Sequence, residues 1–164
     1  MNIEQLKQTG LFLLLLLAQG LVCNNIHLFQ VATPFVCVFL VIKFRRGTAK
    51  WAVLLWSFLM GLGTDLFANT PGVAAGSMTF IALLQPMLLE LFIPRDSDEN
   101  LKPSTKSMGA GFLWYSLFIV FTYCLLFYTL QMFSFFNWLL WLECIGGSAL
   151  LSYILIFALE KAKG

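Results

Sequence analysis

The fold is decided by the stretch from residue 51 to residue 93, which reads WAVLLWSFLMGLGTDLFANTPGVAAGSMTFIALLQPMLLELFI. Two long apolar runs are joined here by a short turn that contains Asn69, Thr70, Pro71 and Gly72. A helix needs about 20 mostly apolar residues to cross the hydrocarbon core of a bilayer. The stretch therefore predicts a hairpin of two membrane-spanning helices, over 51–67 and 73–93.

The composition of the whole chain indicates the same environment. Of its 164 residues, 60% are hydrophobic and 11% are Asp, Glu, Lys or Arg, whereas about a quarter of a typical soluble domain is charged. The net charge of +2 is too small and too dispersed for a nucleic-acid-binding surface. We expect an integral membrane protein that does not bind nucleic acid.

Charges and turn-forming residues divide the rest of the chain into four further apolar runs. With the hairpin they predict six spans in one domain of residues 1–164, over 8–23, 26–42, 51–67, 73–93, 109–132 and 137–159. Pro34 falls inside the second run, and proline removes an N–H and clashes with the preceding helical turn. We expect it to kink this helix or to confine the membrane-crossing part to the residues after it.

The basic residues fall only in the two terminal segments and in the second and fourth connections between these helices. They are Lys7, Lys43, Arg45, Arg46, Lys50, Arg95, Lys102, Lys106, Lys161 and Lys163. Because Lys and Arg concentrate in cytoplasmic segments, the pattern predicts an all-α bundle of six transmembrane helices with both termini in the cytoplasm. The alternative is a cleaved N-terminal secretory signal, which would leave five spans and break the agreement with the charges.

Three acidic residues fall within the predicted helices, namely Asp65, Glu90 and Glu143. An acidic side chain at mid-membrane costs about 2.5–3.5 kcal/mol on insertion scales. Glu90 can extend to the inner interface near Arg95. Asp65 and Glu143 have no such exit, so they are either protonated and hydrogen-bonded inside the bundle, turned toward the outer water layer, or covered by a partner protein.

Asp65 has the more informative surroundings. Gly61 lies four residues earlier on the same helix face, where a glycine allows another helix to approach. Thr70 and Pro71 are typical of an N-cap followed by proline at the first helical position, which brings the positive end of the next helix close to the carboxylate. Asp65 therefore either joins the two helices of the hairpin or binds a partner directly.

The sequence contains no arrangement that is typical of catalysis or of a metal site. His27 is the only histidine, and the four cysteines stand singly in apolar runs as Cys23, Cys37, Cys124 and Cys144. Such cysteines are interpreted as small buried hydrophobic side chains. No glycine-rich phosphate loop is present. We expect no enzyme activity, no metal and no cofactor.

The segment Gly61–Gly72, set between two apolar helices, resembles the signature region of the bacterial rod shape-determining MreD family. An earlier stretch is similar to the first hairpin of that family, through Gln19, Asn25, Ile26, Leu28, Phe29 and Pro34. Together the two stretches cover the chain through the fourth predicted helix, while the last two helices match only in hydropathy.

The resemblance implies a non-enzymatic component of the elongation machinery in the bacterial plasma membrane, which supports lateral peptidoglycan synthesis and regulates cell shape. Its implied partners are MreC, the MreB filament, RodA and a class B penicillin-binding transpeptidase, together with membrane lipid. The expected partner-binding or helix-junction residues are Gly61, Asp65, Asn69, Thr70, Pro71, Gly72 and Glu143.

The resemblance also implies a fold similar to the six-helix S-component bundles of energy-coupling-factor transporters. This relation supplies the alternative function, a small-molecule-binding membrane subunit of such a transporter. That function needs a polar pocket that opens outward, which Asp65, Asn69 and Glu143 would line. The short outer loops favour the scaffold.

Overall fold

The computed structural model describes residues 3–22, 33–93, 101–132 and 137–163, which contain helices and no strand. The helices are α1 (Ile3–Leu17), α2 (Val38–Ile42), α3 (Lys50–Ala68), α4 (Val73–Phe92), α5 (Thr105–Met108), α6 (Ala110–Met132) and α7 (Trp138–Lys163), and a π-helical turn (Ala18–Val22) continues α1. Among the described residues, α3, α4, α6 and α7 are long and apolar enough to cross a membrane. The all-helical prediction is confirmed, and these four helices lie within one to four residues of their predicted limits.

In the described part of the second predicted span (26–42), the helix lies after Pro34, which is one of the two outcomes expected for this proline. Residues 33–37 are not helical, and helix forms only over Val38–Ile42, while residues 26–32 lie outside the described part of the chain. Pro34 removes one backbone N–H and disfavours the helical conformation of the residue before it. The first predicted helix, over 8–23, instead begins at Ile3 and ends in the π-helical turn.

The centre of the molecule is the short segment over residues 35–42. None of its side chains is more than 6% exposed, and α2 packs against α1, α3, α4 and α6. A helix that is apolar on every side is stable only when other elements surround it. Around this centre, α3 packs on α4, α4 on α6, and α6 on α7.

The outward faces of the long helices are apolar. On α4, for example, Phe80, Leu83, Met87 and Leu91 lie on one face and are 47–74% exposed. A soluble protein rarely exposes continuous apolar surface of this kind. These faces are suited to contact with lipid tails or with other apolar helices.

Several charged groups lie together at one end of the bundle. Lys43, directly after α2, forms an ion pair with Glu160 near the end of α7 and donates to the Pro103 carbonyl oxygen at 3.0 Å. The backbone N–H of Arg46 donates to the carbonyl oxygen of Leu101 at 3.4 Å. The basic segments after α2, around α5 and at the end of α7 therefore lie together.

Candidate functional site: the α3–α4 junction and the adjoining cavity

Asp65 joins α3 to the first turn of α4. Its Oδ1 accepts hydrogen bonds from the backbone N–H of Ala74 at 2.8 Å and from the Thr70 hydroxyl at 3.0 Å, and its Oδ2 accepts from the N–H of Ala75 at 2.9 Å. The first N–H groups of a helix lack partners within the helix, and the positive end of the helix dipole favours a negative charge. Asp65 therefore caps α4 from the neighbouring helix.

The chain turns between the two helices by means of two residues in the left-handed region. Asn69 ends α3 with φ of 53°, and its N–H donates to the Asp65 carbonyl oxygen. Gly72 precedes α4 with φ of 85°. Asn and Gly adopt this conformation with the least strain, so the sequence favours a tight reversal at this point.

The predicted N-cap at Thr70 and the predicted first helical position at Pro71 are both wrong. Helix α4 begins at Val73 with Gly72 in the N-cap position, and Pro71 lies in the turn. The N–H groups that a capping side chain would satisfy already donate to the carboxylate of the preceding helix. The Thr70 hydroxyl therefore donates to Asp65 instead of capping the helix.

The backbones of α3 and α4 approach each other closely at Gly61. A Cβ atom at this position would lie 2.5 Å from the Cα of Ala75 and 2.7 Å from the carbonyl oxygen of Ala74. These are backbone atoms, which cannot turn aside as the end of a side chain can. Only glycine fits here, and the close approach brings Asp65 within hydrogen-bonding distance of α4.

Glu143 and Glu90 are not part of this junction. Glu143 is exposed on α7, which packs on α6, and Glu90 is exposed near the end of α4. The expected neighbour of Glu90, Arg95, lies outside the described residues. Asp65 and Asn69 line a shallow groove beside α3, and Glu143 does not line this groove.

A separate cavity of about 470 Å³ lies between the π-helical turn, the segment before α2, the facing ends of α3 and α4, and helices α6 and α7. Its polar lining comes from Gln19, Thr33, Thr64, Thr70, Tyr123, Tyr128 and Gln131. Aromatic rings at Phe35, Phe67 and Phe127 line it as well. Within the described part of the chain, no charged side chain lines this cavity.

Gln19 organises one wall of the cavity. Its Oε1 accepts from the backbone N–H groups of Val36 at 2.8 Å and Cys37 at 3.3 Å, and its Nε2 donates to the Pro34 carbonyl oxygen at 3.1 Å. These groups have no helical partner because the chain is not helical before α2. The side chain replaces the hydrogen bonds that a continuous helix would have made.

Two serines of α7 support the same segment from the other side. Ser148 Oγ accepts from the N–H of Thr33 at 3.1 Å, and Ser152 Oγ accepts from the N–H of Phe35 at 2.8 Å. The Tyr128 hydroxyl bridges Thr33 Oγ1 at 2.9 Å and Ser148 Oγ at 2.6 Å. Non-helical backbone at membrane depth persists only where protein or a water-filled cavity satisfies its polar groups, and this network satisfies several of them.

Sequence reasoning did not single out this network. Ser148 and Ser152 lie four residues apart, a spacing that places them on one helix face, but nothing in the sequence relates them to Thr33 or Phe35. The aromatic residues of α6 lie in different surroundings: Trp114 is exposed, whereas Tyr123 is fully buried beside the cavity.

The predicted burial of the cysteines is confirmed where the structure describes them. Cys37, Cys124 and Cys144 are buried, whereas Cys23 and His27 lie outside the described residues. In the described ranges, no group of three His, Cys, Asp or Glu side chains is arranged to hold a metal ion.

Comparisons with protein-family models, with curated proteins and with solved structures find no match to this chain.

Proposed function

We propose that this chain is a non-enzymatic scaffold of the bacterial elongation machinery, which binds MreC in the plasma membrane and supports lateral peptidoglycan synthesis and cell shape. The α3–α4 junction is the observation that carries this proposal. Gly61 and Asp65, within the segment that resembles the MreD signature, both contact the first turn of α4. Two helices that pack this closely keep a fixed relative position, so their outer surface has a fixed shape that a partner can recognise.

The proposed contact surface for MreC is the groove on the outer side of this junction. The groove has a volume of about 420 Å³, and Phe58, Leu62 and Leu66 line it beside Asn69. These three apolar side chains are 40–74% exposed. In lipid, helices associate through close packing of complementary apolar surfaces, so the single membrane-spanning helix of MreC is a suitable occupant. RodA, the transpeptidase and MreB then associate directly or through MreC.

The proposed topology has six spans with both termini in the cytoplasm, as in an S-component bundle. Helix α1 with its π-helical turn, and the segment that ends in α2, would supply the two spans besides α3, α4, α6 and α7. The gathering of Lys43, Lys102 and Lys161 near one end of the bundle supports this orientation, because basic residues concentrate on the cytoplasmic side.

The cavity beside Gln19 favours a second candidate function, the small-molecule-binding subunit of an energy-coupling-factor transporter. The two functions differ in their stable partner. Affinity purification of the full chain from its native membranes should recover MreC if the scaffold proposal is right. Recovery of an energy-coupling ATPase module in place of MreC would favour the transporter.

The scaffold proposal is tested in a rod-shaped native host from which the chromosomal copy has been depleted. We compare Leu66→Trp, in the groove, with Met87→Trp on α4, because the two side chains are similarly exposed, at 74% and 71%. Wild type and Met87→Trp should restore rod shape and recover MreC, whereas Leu66→Trp should leave cells rounded at equal protein level.

Failure of the wild type to restore rod shape would overturn the cell-shape function. If Leu66→Trp restored rod shape and recovered as much MreC as the wild type, the groove would be excluded as the contact surface.

A further inference from the structure

We propose that the cavity beside Gln19 is a binding site for an uncharged small molecule that carries a ring and both hydrogen-bond donors and acceptors. The site lies inside the bundle and is distinct from the groove proposed to contact MreC. Its volume of about 470 Å³ falls within the range of about 300–1,000 Å³ that is typical of ligand pockets.

The cavity lies where the regular helical backbone is interrupted. Gln19 and Gly20 belong to the π-helical turn, and Thr33 and Phe35 belong to the non-helical segment before α2. Single π-helical turns occur frequently at functional sites, and broken helices in membrane bundles commonly form binding sites. The hydrogen bonds of Gln19 hold this irregular wall in place, so the cavity is formed before a ligand enters.

Hydrogen-bonding capacity remains in the lining. The Thr64 hydroxyl donates its hydrogen to the Gly61 carbonyl oxygen at 2.7 Å, and the Thr70 hydroxyl donates its hydrogen to Asp65. Both hydroxyl oxygens can therefore still accept. The side-chain amide of Gln131 also lines the cavity and can donate as well as accept. A ligand must supply groups of both kinds to satisfy this lining.

The charge and the aromatic side chains of the lining indicate that the ligand is uncharged and carries a ring. Since no charged side chain of the described chain lines the cavity, an ionic ligand would lose hydration without gaining a counter-charge. The carboxylate of Asp65 already accepts from two backbone N–H groups and one hydroxyl. Phe67 and Phe127 present aromatic rings on the wall, and such rings pack favourably against a ring in the ligand.

The proposal is tested on the full chain, purified in lipid nanodiscs, by ligand-observed NMR titration. The probes are uncharged ring compounds with amide or hydroxyl groups, including benzamide and adenosine. Their controls are the charged counterparts benzoate, benzamidinium and adenosine monophosphate. We expect saturable binding of uncharged members and at least tenfold weaker binding of the charged ones. Absence of saturable binding by every uncharged probe, or equal binding of charged and uncharged partners, would overturn the proposal.

Variants locate the binding in the cavity. Gln131→Leu removes one side-chain amide from the lining and should weaken binding by about threefold to tenfold, whereas Ala68→Trp places an indole in the cavity and should abolish binding. Thr129→Val is the control, because Thr129 also carries a polar group on α6 but does not line the cavity. Weaker binding by Gln131→Leu, together with unchanged binding by Thr129→Val, supports the site. Equal affinity of Gln131→Leu and wild type would place the ligand elsewhere, even if Ala68→Trp did not fold.

The binding assay uses isolated protein without MreC. A failure of this proposal is therefore distinguishable from a failure of the scaffold function, which is measured in cells.

Discussion

Asp65 shows how backbone and hydroxyl donors of a neighbouring helix and turn hold a carboxylate inside an apolar bundle. It is 6% exposed, and its three donors are two backbone N–H groups of α4 and the Thr70 hydroxyl. Hydrogen bonds to an ionised acceptor are stronger than neutral ones, and the dipole of α4 adds a positive potential. The carboxylate and the start of α4 thus stabilise each other.

Because Asp65 caps α4, its replacement should lower the free energy of unfolding, and the loss should be larger when no acceptor oxygen remains. Asp65→Asn keeps one acceptor oxygen and should cost about 1 kcal/mol, in the range of a lost helix cap. Asp65→Leu leaves the N–H groups of Ala74 and Ala75 without their acceptor and should cost about 2 kcal/mol or more. Equilibrium unfolding of the purified variants measures both losses. Glu143→Gln is the control because Glu143 is exposed, and equal losses for all three variants would exclude the capping role.

Gly61 predicts a position-specific effect of adding a single methyl group. Gly61→Ala forces the Cβ against the backbone of α4, 2.5 Å from Ala75 Cα, and should destabilise the protein by about 1–3 kcal/mol. Gly76→Ala is the matched control on α4, since its Cβ would lie no closer than 3.9 Å to Leu130 Cδ1. The midpoint temperature of thermal unfolding should be clearly lower for Gly61→Ala than for both the wild type and Gly76→Ala. The close approach would be refuted if the two alanine variants unfolded at the same temperature.

At the scale of elements, the segment over residues 33–37 is unusual because side chains of other helices satisfy its backbone. Gln19 of the π-helical turn supports one side, and Ser148 and Ser152 of α7 support the other. Each of these bonds joins residues distant in the sequence. The position of the segment therefore depends on the packing of α7 and α1 around it.

Removal of one such partner should loosen this segment. Ser152→Ala leaves the buried N–H of Phe35 unpaired, at a cost of about 1–2 kcal/mol. If the segment opens locally, amide hydrogen exchange of residues 35–37 should accelerate by about fivefold to thirtyfold. Ser116→Ala is the control, because Ser116 is also buried but its hydroxyl donates within its own helix, to Leu113. Unchanged exchange in Ser152→Ala would show that the serine does not hold the segment.

At the scale of the whole molecule, the charged groups and the Asp65 junction lie at opposite ends of α3. Lys50 begins this helix near the end of the bundle where Lys43 pairs with Glu160, and Asp65 lies in its last turn. Basic residues therefore lie toward one side of a membrane crossed by α3. Under the positive-inside rule, this separation predicts that the end with the basic residues faces the cytoplasm.

The orientation predicts the result of reporter fusions along the chain. Fusions after Lys50, Lys102 and Gly164 should report the cytoplasm, and fusions after Asn69 and Phe135 should report the periplasm. Alkaline phosphatase and green fluorescent protein fusions measure the two compartments. A periplasmic signal after Lys50 or Gly164 would contradict the six-span topology.

The sequence by itself determined the lengths of the long apolar helices and the tight turn of the α3–α4 hairpin. Their lengths follow from uninterrupted apolar runs, and the turn follows from the local preferences of Asn69 and Gly72 for left-handed backbone. The proximity of Gly61 and Asp65 to the next helix was also predictable from spacing and from the short connection. All of these features depend on residues that are close together in the chain.

Only the tertiary structure decided how much of the second apolar run is helical and whether a cavity forms beside it. Pro34 indicated an interruption, but whether the chain kinks or leaves the helix depends on acceptors supplied by Gln19, Ser148 and Ser152. The pairing of Lys43 with Glu160 likewise joins residues that are far apart in the chain. The physical reason is common to all of these cases: a buried polar group is stable only beside its partner, and packing between distant helices determines which partner is within reach.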